Sequence, residues 1–144
     1  MENIIVSACL FGVNCRYDGK AKPCEMALKL KEKYNCILVC PEADGGLPTP
    51  RKPSEIIGKR VVMCDGTDVT EQYNKGAMQA LKIAEENGCK IAVLKSRSPS
   101  CGKGQIYDGT YTKTLTSGNG ITAALLLANG IIVLDETELH RLGL

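Results

Sequence analysis

The sequence predicts an α/β fold in which a mainly parallel sheet is flanked by helices and carries a small β-hairpin insertion. Four short apolar runs are rich in Val and Ile and do not alternate with polar residues, which is typical of strands buried on both faces of a parallel sheet. Helical patterns lie between these runs, as in a Rossmann-like arrangement of alternating strands and helices. The four runs are residues 4–9, 36–40, 91–94 and 131–134.

Three helices are predicted between the strands, because apolar residues recur there with helical spacing. Thr70 is placed to cap the second helix, and Asn-Gly pairs follow the second and third helices as stop signals. The predicted helices are residues 23–34, 70–87 and 120–128.

The remaining segments are predicted to be a hairpin and two long loops. Asp65-Gly66 lies between two short β-like runs, which is a hairpin signal. Residues 41–53 hold four prolines and residues 96–119 hold four glycines, so both segments are predicted to be long loops, the second with a weak ribbon around residues 107–112. Long loops within a compact domain are usually functional or disordered, and both segments are therefore candidates for carrying the site.

Length and charge exclude several functional classes. The chain has 144 residues, which fits a single domain over residues 1–144. No apolar run approaches the roughly 18 residues of a membrane-spanning helix. The net charge is only +2, and five Tyr, one Phe and no Trp give little stacking surface. A membrane partner or a long nucleic acid is therefore not expected, and the sequence does not indicate an oligomeric state.

Eight cysteines are the most unusual feature of the composition. The N-terminal residues lack the basic region and apolar stretch of a signal peptide, so the expected compartment is the cytoplasm, where cysteines serve as thiols, metal ligands or redox groups. A paired-knuckle zinc site is not indicated, because the chain has no Cys-x-x-Cys and its single histidine is His140.

Three of the cysteines follow predicted strands. Cys9 and Cys40 close two strands, and Cys101 comes shortly after a third. Because ligands bind at the carboxyl ends of parallel strands, these three residues are expected to meet at one edge of the sheet. Three thiolates suit zinc, copper(I) or an iron–sulfur cluster, and three ligands leave one metal position open. Three separately buried thiols remain the alternative.

Other cysteines are expected elsewhere. Cys36 begins a strand and Cys89 precedes one, which places both at the opposite edge of the sheet. Cys15 lies in the loop after the first strand, and its position does not decide whether it contributes to the same site.

Six linked motifs run through nearly the whole chain and together resemble the thiouracil desulfidase (TudS) family, formerly a domain of unknown function. Several motifs in one fixed order make this resemblance specific. The motifs are VSACLFG at 6–12, RYDG at 16–19, CPE at 40–42, GGLPTPR at 45–51, SRSPSCG at 96–102 and GITAALL at 120–126.

The resemblance implies an enzyme that removes sulfur from thiolated pyrimidines of the thiouracil or 4-thiouridine type, free or as nucleotides. It implies a 4Fe–4S cluster held by Cys9, Cys40 and Cys101 with the fourth iron open. It further implies Glu42 as the catalytic acidic residue and Ser98 as the active-site serine. The expected reaction is a non-redox hydrolysis in which sulfide passes through the cluster.

Two other functional classes remain open from the residues alone. Gly118-Asn119-Gly120 precedes a predicted helix and is a candidate phosphate cradle, which would suit a nucleotide-binding module. A cluster-free thiol redox or zinc protein is the second alternative. Arg97 and Lys103 are candidate ligands for a phosphate or carbonyl oxygen, although exposed cations are most often simply solvated.

Overall fold

The protein's structure, a computed structural model, describes residues 1–14, 16–19 and 24–144. Cys15 and Pro23 therefore lie outside the described residues. Within the described part there are eight strands: β1 (Asn3–Ser7), β2 (Asn35–Val39), β3 (Ser54–Ile57), β4 (Arg60–Met63), β5 (Ile91–Leu94), β6 (Gln105–Tyr107), β7 (Leu115–Ser117) and β8 (Ile132–Asp135). Four of these strands form one fully parallel sheet in the order β2-β1-β5-β8, which confirms the predicted α/β class.

The helices cover both faces of this sheet. The described residues contain α1 (Glu25–Leu28), α2 (Leu30–Lys33), α3 (Pro41–Asp44), α4 (Thr70–Glu86) and α5 (Ile121–Ala128). The two longest helices confirm their predictions, whereas the predicted first helix is interrupted at Lys29. Among these residues no helix has the length and apolar character needed to cross a membrane.

Two apolar clusters sandwich the sheet. On one face, Ile5 and Leu94 pack with Ala84 of α4 and Leu126 of α5. On the other face, β1 packs in a cluster that includes Leu30 of α2. Because successive side chains of a strand point to opposite faces of the sheet, the apolar side chains of the central strands need a cluster on each face.

Burial differs between the central and the edge strands. Ile4, Ile5 and Val6 of β1 are completely buried, as predicted. At the two edges, however, Leu38 is 42% exposed and Ile132 is 53% exposed, so the prediction of burial on both faces is wrong for those residues. An apolar run specifies a strand but not its distance from the sheet edge.

The hairpin lies upstream of its predicted turn. Strands β3 and β4 pair across Gly58, and only an isolated bridge joins Val62 to Asp68 around Asp65-Gly66. The adjacent cap also differs from its prediction: Asp68, not Thr70, accepts the first N–H of α4, at 2.9 Å. The second antiparallel ribbon, β6 and β7, falls within the segment predicted to be a long loop, and its strands lie on either side of most of the weak ribbon predicted around residues 107–112.

The segment after β2 is held against α4 by two close backbone approaches. Residues 41–44 form α3, a helical turn inside the predicted loop, with Pro41 at its first position. A Cβ on Gly76 would lie 1.8 Å from the Pro41 carbonyl oxygen, and one on Gly45 would lie 2.0 Å from the Gln72 carbonyl oxygen. Only glycine permits this contact, which fixes the position of Glu42 at the carboxyl edge of the sheet.

Candidate functional site

Three cysteines come from three neighbouring strands at the carboxyl edge of the sheet. Cys9 lies in the helical turn Ala8–Phe11 that follows β1, so the strand itself ends two residues before the predicted boundary. Cys40 comes directly after β2, and Cys101 lies in the turn that follows β5. Cys9 and Cys40 pack against each other. Cys101 is 5% exposed, and it lies close enough to Cys40 for the charge of Cys40 to raise the pKa of the Cys101 thiol.

The other described cysteines lie away from this group. Cys89 is next to the amino end of β5, and Cys36 lies in the amino half of β2, where its thiol contacts the carbonyl oxygen of Tyr34. Cys24 packs in the cluster below the opposite face, and Cys64 is exposed in the turn after β4. The predicted division of the cysteines between the two edges is therefore confirmed for these residues.

Burial dominates the electrostatics of the Cys101 thiol. The pKa of the Cys101 thiol is raised to about 12, mainly by burial and also by the Glu42 carboxylate and Cys40. A hydrogen bond with the Ser7 hydroxyl opposes this rise. Ser7 is itself oriented, because its hydroxyl oxygen accepts the N–H of Lys95 at 2.9 Å. A metal that binds this sulfur must displace its proton, as metal binding to thiols generally does.

The side chains that converge at this edge offer thiol sulfur as a metal donor. Among the described residues, no group of three or more His, Cys, Asp or Glu side chains is close enough together to hold a metal ion. Thiol sulfur without histidine is the donor chemistry that iron–sulfur clusters use. The ligation by Cys9, Cys40 and Cys101 itself stays a prediction.

The two predicted catalytic side chains touch each other. The Ser98 hydroxyl donates to Glu42 Oε1 at 3.0 Å, across 56 residues of sequence. The Ser98 oxygen in turn accepts the backbone N–H groups of Ser100 and Cys101, both at 3.1 Å. This network fixes the hydroxyl beside the carboxylate and beside the segment that carries Cys101.

Arg51 contacts the other oxygen of the same carboxylate. Its Nη2 lies 2.7 Å and its Nε 3.2 Å from Glu42 Oε2. The Arg51 side chain is only 3% exposed and that of Glu42 is 15% exposed, so the ion pair is largely shielded from water. Tyr73 of α4 also borders Glu42, and burial together with that carboxylate raises the pKa of the Tyr73 hydroxyl.

The cations near this edge are not equivalent. Lys95 pairs with Glu136 at 2.9 Å and Lys103 pairs with Glu138 at 3.2 Å. Arg97 is exposed and adopts a left-handed backbone conformation with φ of 66°, which is unusual for a residue other than glycine. No ion pair joins its guanidinium to any described residue.

The candidate phosphate cradle before α5 is already occupied by the protein. The backbone N–H groups of residues 120–123 donate to the carbonyl oxygens of Pro99, Ser100 and Gly102. Asn119 Oδ1 accepts the N–H of Gly104 at 2.8 Å. The helix end thus anchors the turn that holds Ser98 and Cys101, and it has no first-turn donor left for an anion.

The sequence predicts Glu42 and Ser98 as site residues, but it does not single out Arg51, Tyr73 or Ser7, which lie against Glu42 or Cys101. Arg51 and Ser7 lie within two of the motifs that carried the resemblance, which is the one signal that pointed to them. Tyr73 carried no such signal, because a tyrosine on the apolar face of a helix normally belongs to the core.

Comparisons with known proteins match nearly the whole chain. The family model for 2-thiouracil desulfurase matches residues 4–138. The uncharacterized protein YbbK of Bacillus subtilis (strain 168) is 42% identical over 147 residues, covering 95% of this chain and 97% of that protein. A solved structure of the 4Fe-4S-dependent thiouracil desulfidase TudS is 43% identical with a TM-score of 0.94, covering 99% of this chain and 96% of that one. The resemblance carried by the six motifs is confirmed: the chain belongs to the 2-thiouracil desulfurase family.

Proposed function

We propose that this protein is a 4Fe–4S-dependent desulfidase that replaces the sulfur of a thiolated pyrimidine by oxygen. Cys9, Cys40 and Cys101 would hold the cluster, with Glu42 and Ser98 as the catalytic pair. The observation that carries the proposal is the hydrogen bond between Ser98 and Glu42 beside these cysteines. A site of thiols requires a reducing compartment, and the proposal therefore includes a cytoplasmic location.

When bound, such a cluster supplies one iron with an open position, a Lewis acid for the thiocarbonyl sulfur. The protein supplies proton transfer. Glu42 Oε1 accepts a hydrogen bond from the Ser98 hydroxyl. It is therefore placed to take a proton from the attacking water, either directly or through Ser98. The two N–H groups on the Ser98 oxygen stabilise negative charge that develops there.

The reaction is balanced without an electron donor. A thiocarbonyl carbon and one water molecule give a carbonyl carbon and hydrogen sulfide, so carbon–sulfur bonds break, carbon–oxygen bonds form and no atom changes its oxidation state. This is why neither a reductant nor an oxidant is required. The two protons that leave with sulfide are those of the water molecule, and Glu42 is the residue placed to carry one of them.

Nucleotides are proposed substrates alongside the free bases. The support is Arg97, the exposed guanidinium directly before Ser98. A cation beside the catalytic serine suits a phosphate better than an uncharged base. We expect Arg97→Gln to raise KM for 4-thiouridine monophosphate and to leave KM for 4-thiouracil unchanged.

The test is anaerobic turnover beside an iron and sulfide count. Reconstituted protein is incubated with 2-thiouracil, 4-thiouracil or 4-thiouridine monophosphate, and hydrosulfide is measured against the oxo product. We expect equal amounts of both products and no consumption of reductant. Fully loaded protein that releases no hydrosulfide from any of the three would contradict the proposed activity. Protein that binds no iron but cycles between thiol and disulfide would support the redox alternative instead.

A further inference from the structure

The two oxygens of the Glu42 carboxylate have different partners. Oε1 accepts the Ser98 hydroxyl at 3.0 Å, and Oε2 faces the edge of the Arg51 guanidinium formed by Nε and Nη2. Because both nitrogen atoms bind the same oxygen, the ion pair determines which oxygen remains for Ser98. A carboxylate with a different tilt would lose one of these two contacts.

Arg51 is held in place by its own neighbours. Its Nη1 donates to the Pro48 carbonyl oxygen at 3.1 Å and to Thr49 Oγ1 at 3.0 Å. Its backbone N–H donates to the carbonyl oxygen of Tyr17, in a different loop. The guanidinium is therefore fixed before any substrate binds, and a preorganised group of this kind needs no rearrangement during the reaction.

We propose that Arg51 is a positioning residue for Glu42: by holding Oε2, it keeps Oε1 directed at Ser98 and at the attacking water. This inference rests on the proposed role of Glu42. Arg51 does not contact the substrate or the cluster in this role, and it acts on the rate through the carboxylate alone. Misplacing a catalytic group by about 1 Å can cost about 100-fold in rate.

The test is a double-mutant cycle on cluster-loaded protein, with all rates divided by cluster content. Arg51→Met should lower kcat by about 10- to 100-fold and leave KM nearly unchanged, since ground-state binding is not affected. In the Glu42→Gln background the same substitution should have little further effect, because the carboxylate that it positions is gone. Arg51→Lys, which keeps one donor and the charge, should recover part of the rate.

Controls separate positioning from a general structural effect. Arg60→Met removes an exposed arginine that pairs with Asp68, and it should leave kcat and KM unchanged. A second readout does not depend on activity: in the full-length chain, the Arg51 Nε–H should exchange slowly with solvent and become fast in Glu42→Gln. This NMR measurement needs only wild-type protein and Glu42→Gln, so it remains decisive if Arg51→Met does not fold.

Three outcomes would overturn the inference. Equal losses from Arg51→Met in the wild-type and Glu42→Gln backgrounds would show that Arg51 does not act through Glu42. Exchange of its Nε–H as fast as that of the exposed Arg97 would show that the ion pair does not persist in solution. Wild-type turnover in Glu42→Gln would remove Glu42 from the chemistry, and this failure of the proposed function is distinguishable from the other two.

Discussion

The two edges of the parallel sheet both carry buried cysteines, yet their surroundings differ. At the amino edge, burial raises the pKa of the Cys89 thiol, which neighbours an Asn-Gly turn. At the carboxyl edge, burial also raises the pKa of Cys101, but there the neighbours are hydroxyls, a carboxylate and a second cysteine. Burial alone therefore does not identify a functional thiol. What distinguishes Cys101 is the set of polar groups around it, which come from the last residue of β1 and from the segments that follow β2 and β5.

The strongest test of this contrast removes one thiol from each edge. Cys40→Ser should abolish the visible absorbance of the reconstituted cluster, because a cluster held by three ligands loses one of them. Cys36→Ser, in the same strand but near its amino end, should keep the absorbance and the iron content. Equal colour in the two variants would contradict the assignment of the cluster to the carboxyl edge.

Glu42→Gln is expected to have the next largest effect. It keeps the size of the side chain but removes its ability to accept a proton, and loss of a general base typically costs about 10²–10⁴-fold in rate. Anaerobic turnover per cluster measures this effect, and the absorbance should stay at the wild-type level. Glu138→Gln is the matched control, since Glu138 pairs with Lys103 and Arg141 instead of with a catalytic group.

Gly76→Ala tests whether the close backbone contact between α3 and α4 positions the site. The added Cβ would meet the Pro41 carbonyl oxygen, and overpacking of this kind typically costs about 1–3 kcal/mol. We expect a lower free energy of unfolding together with reduced turnover per cluster, because α3 carries Glu42. Met78→Ala, an exposed change on the same helix, should alter neither quantity. A destabilised variant with wild-type turnover would show that this backbone contact stabilises the fold without positioning the site.

The smallest predicted effect concerns the Lys95–Glu136 pair at the same edge. Burial alone would raise the pKa of Glu136, but hydrogen bonds from Lys95 and the Ser96 N–H outweigh it and lower the pKa. A lowered folded-state pKa stabilises the protein above the usual Glu pKa, and this contribution is lost as the pH falls through the folded value. The stability difference between wild type and Glu136→Gln should therefore shrink in acid, as urea unfolding between neutral and acidic pH would measure. A difference that does not change with pH would refute the ion-pair contribution.

The contrast between edges was predictable from sequence because it depends on topology. Parallel strands place every residue that follows a strand at one edge, so the positions of Cys9, Cys40 and Cys101 followed from the strand boundaries alone. The contacts within the edge were not predictable in this way. Ser98 and Arg51 reach Glu42 from 56 and nine residues away, and loop geometry, not periodicity, decides those distances.

Strand pairing outside the central sheet was also beyond the sequence signals. The hairpin of β3 and β4 includes Glu55, a buried carboxylate that accepts the N–H groups of Gly109 and Tyr111. A charged residue weakens the apolar pattern that marks a strand, so the sequence predicts the hairpin at the Asp-Gly pair downstream instead. The two N–H groups that satisfy this buried carboxylate lie more than 50 residues away in sequence, so only the folded structure shows why its burial is tolerated.

The origin of the three cysteines in separate strands has a consequence for how the protein matures in the cell. Residues 9, 40 and 101 are brought together by β1, β2 and β5, so they become neighbours only after the sheet has formed. A chain folded only as far as Cys40 lacks the third residue of the set proposed to hold the cluster. The proposed cluster would therefore be inserted only after the central sheet has formed.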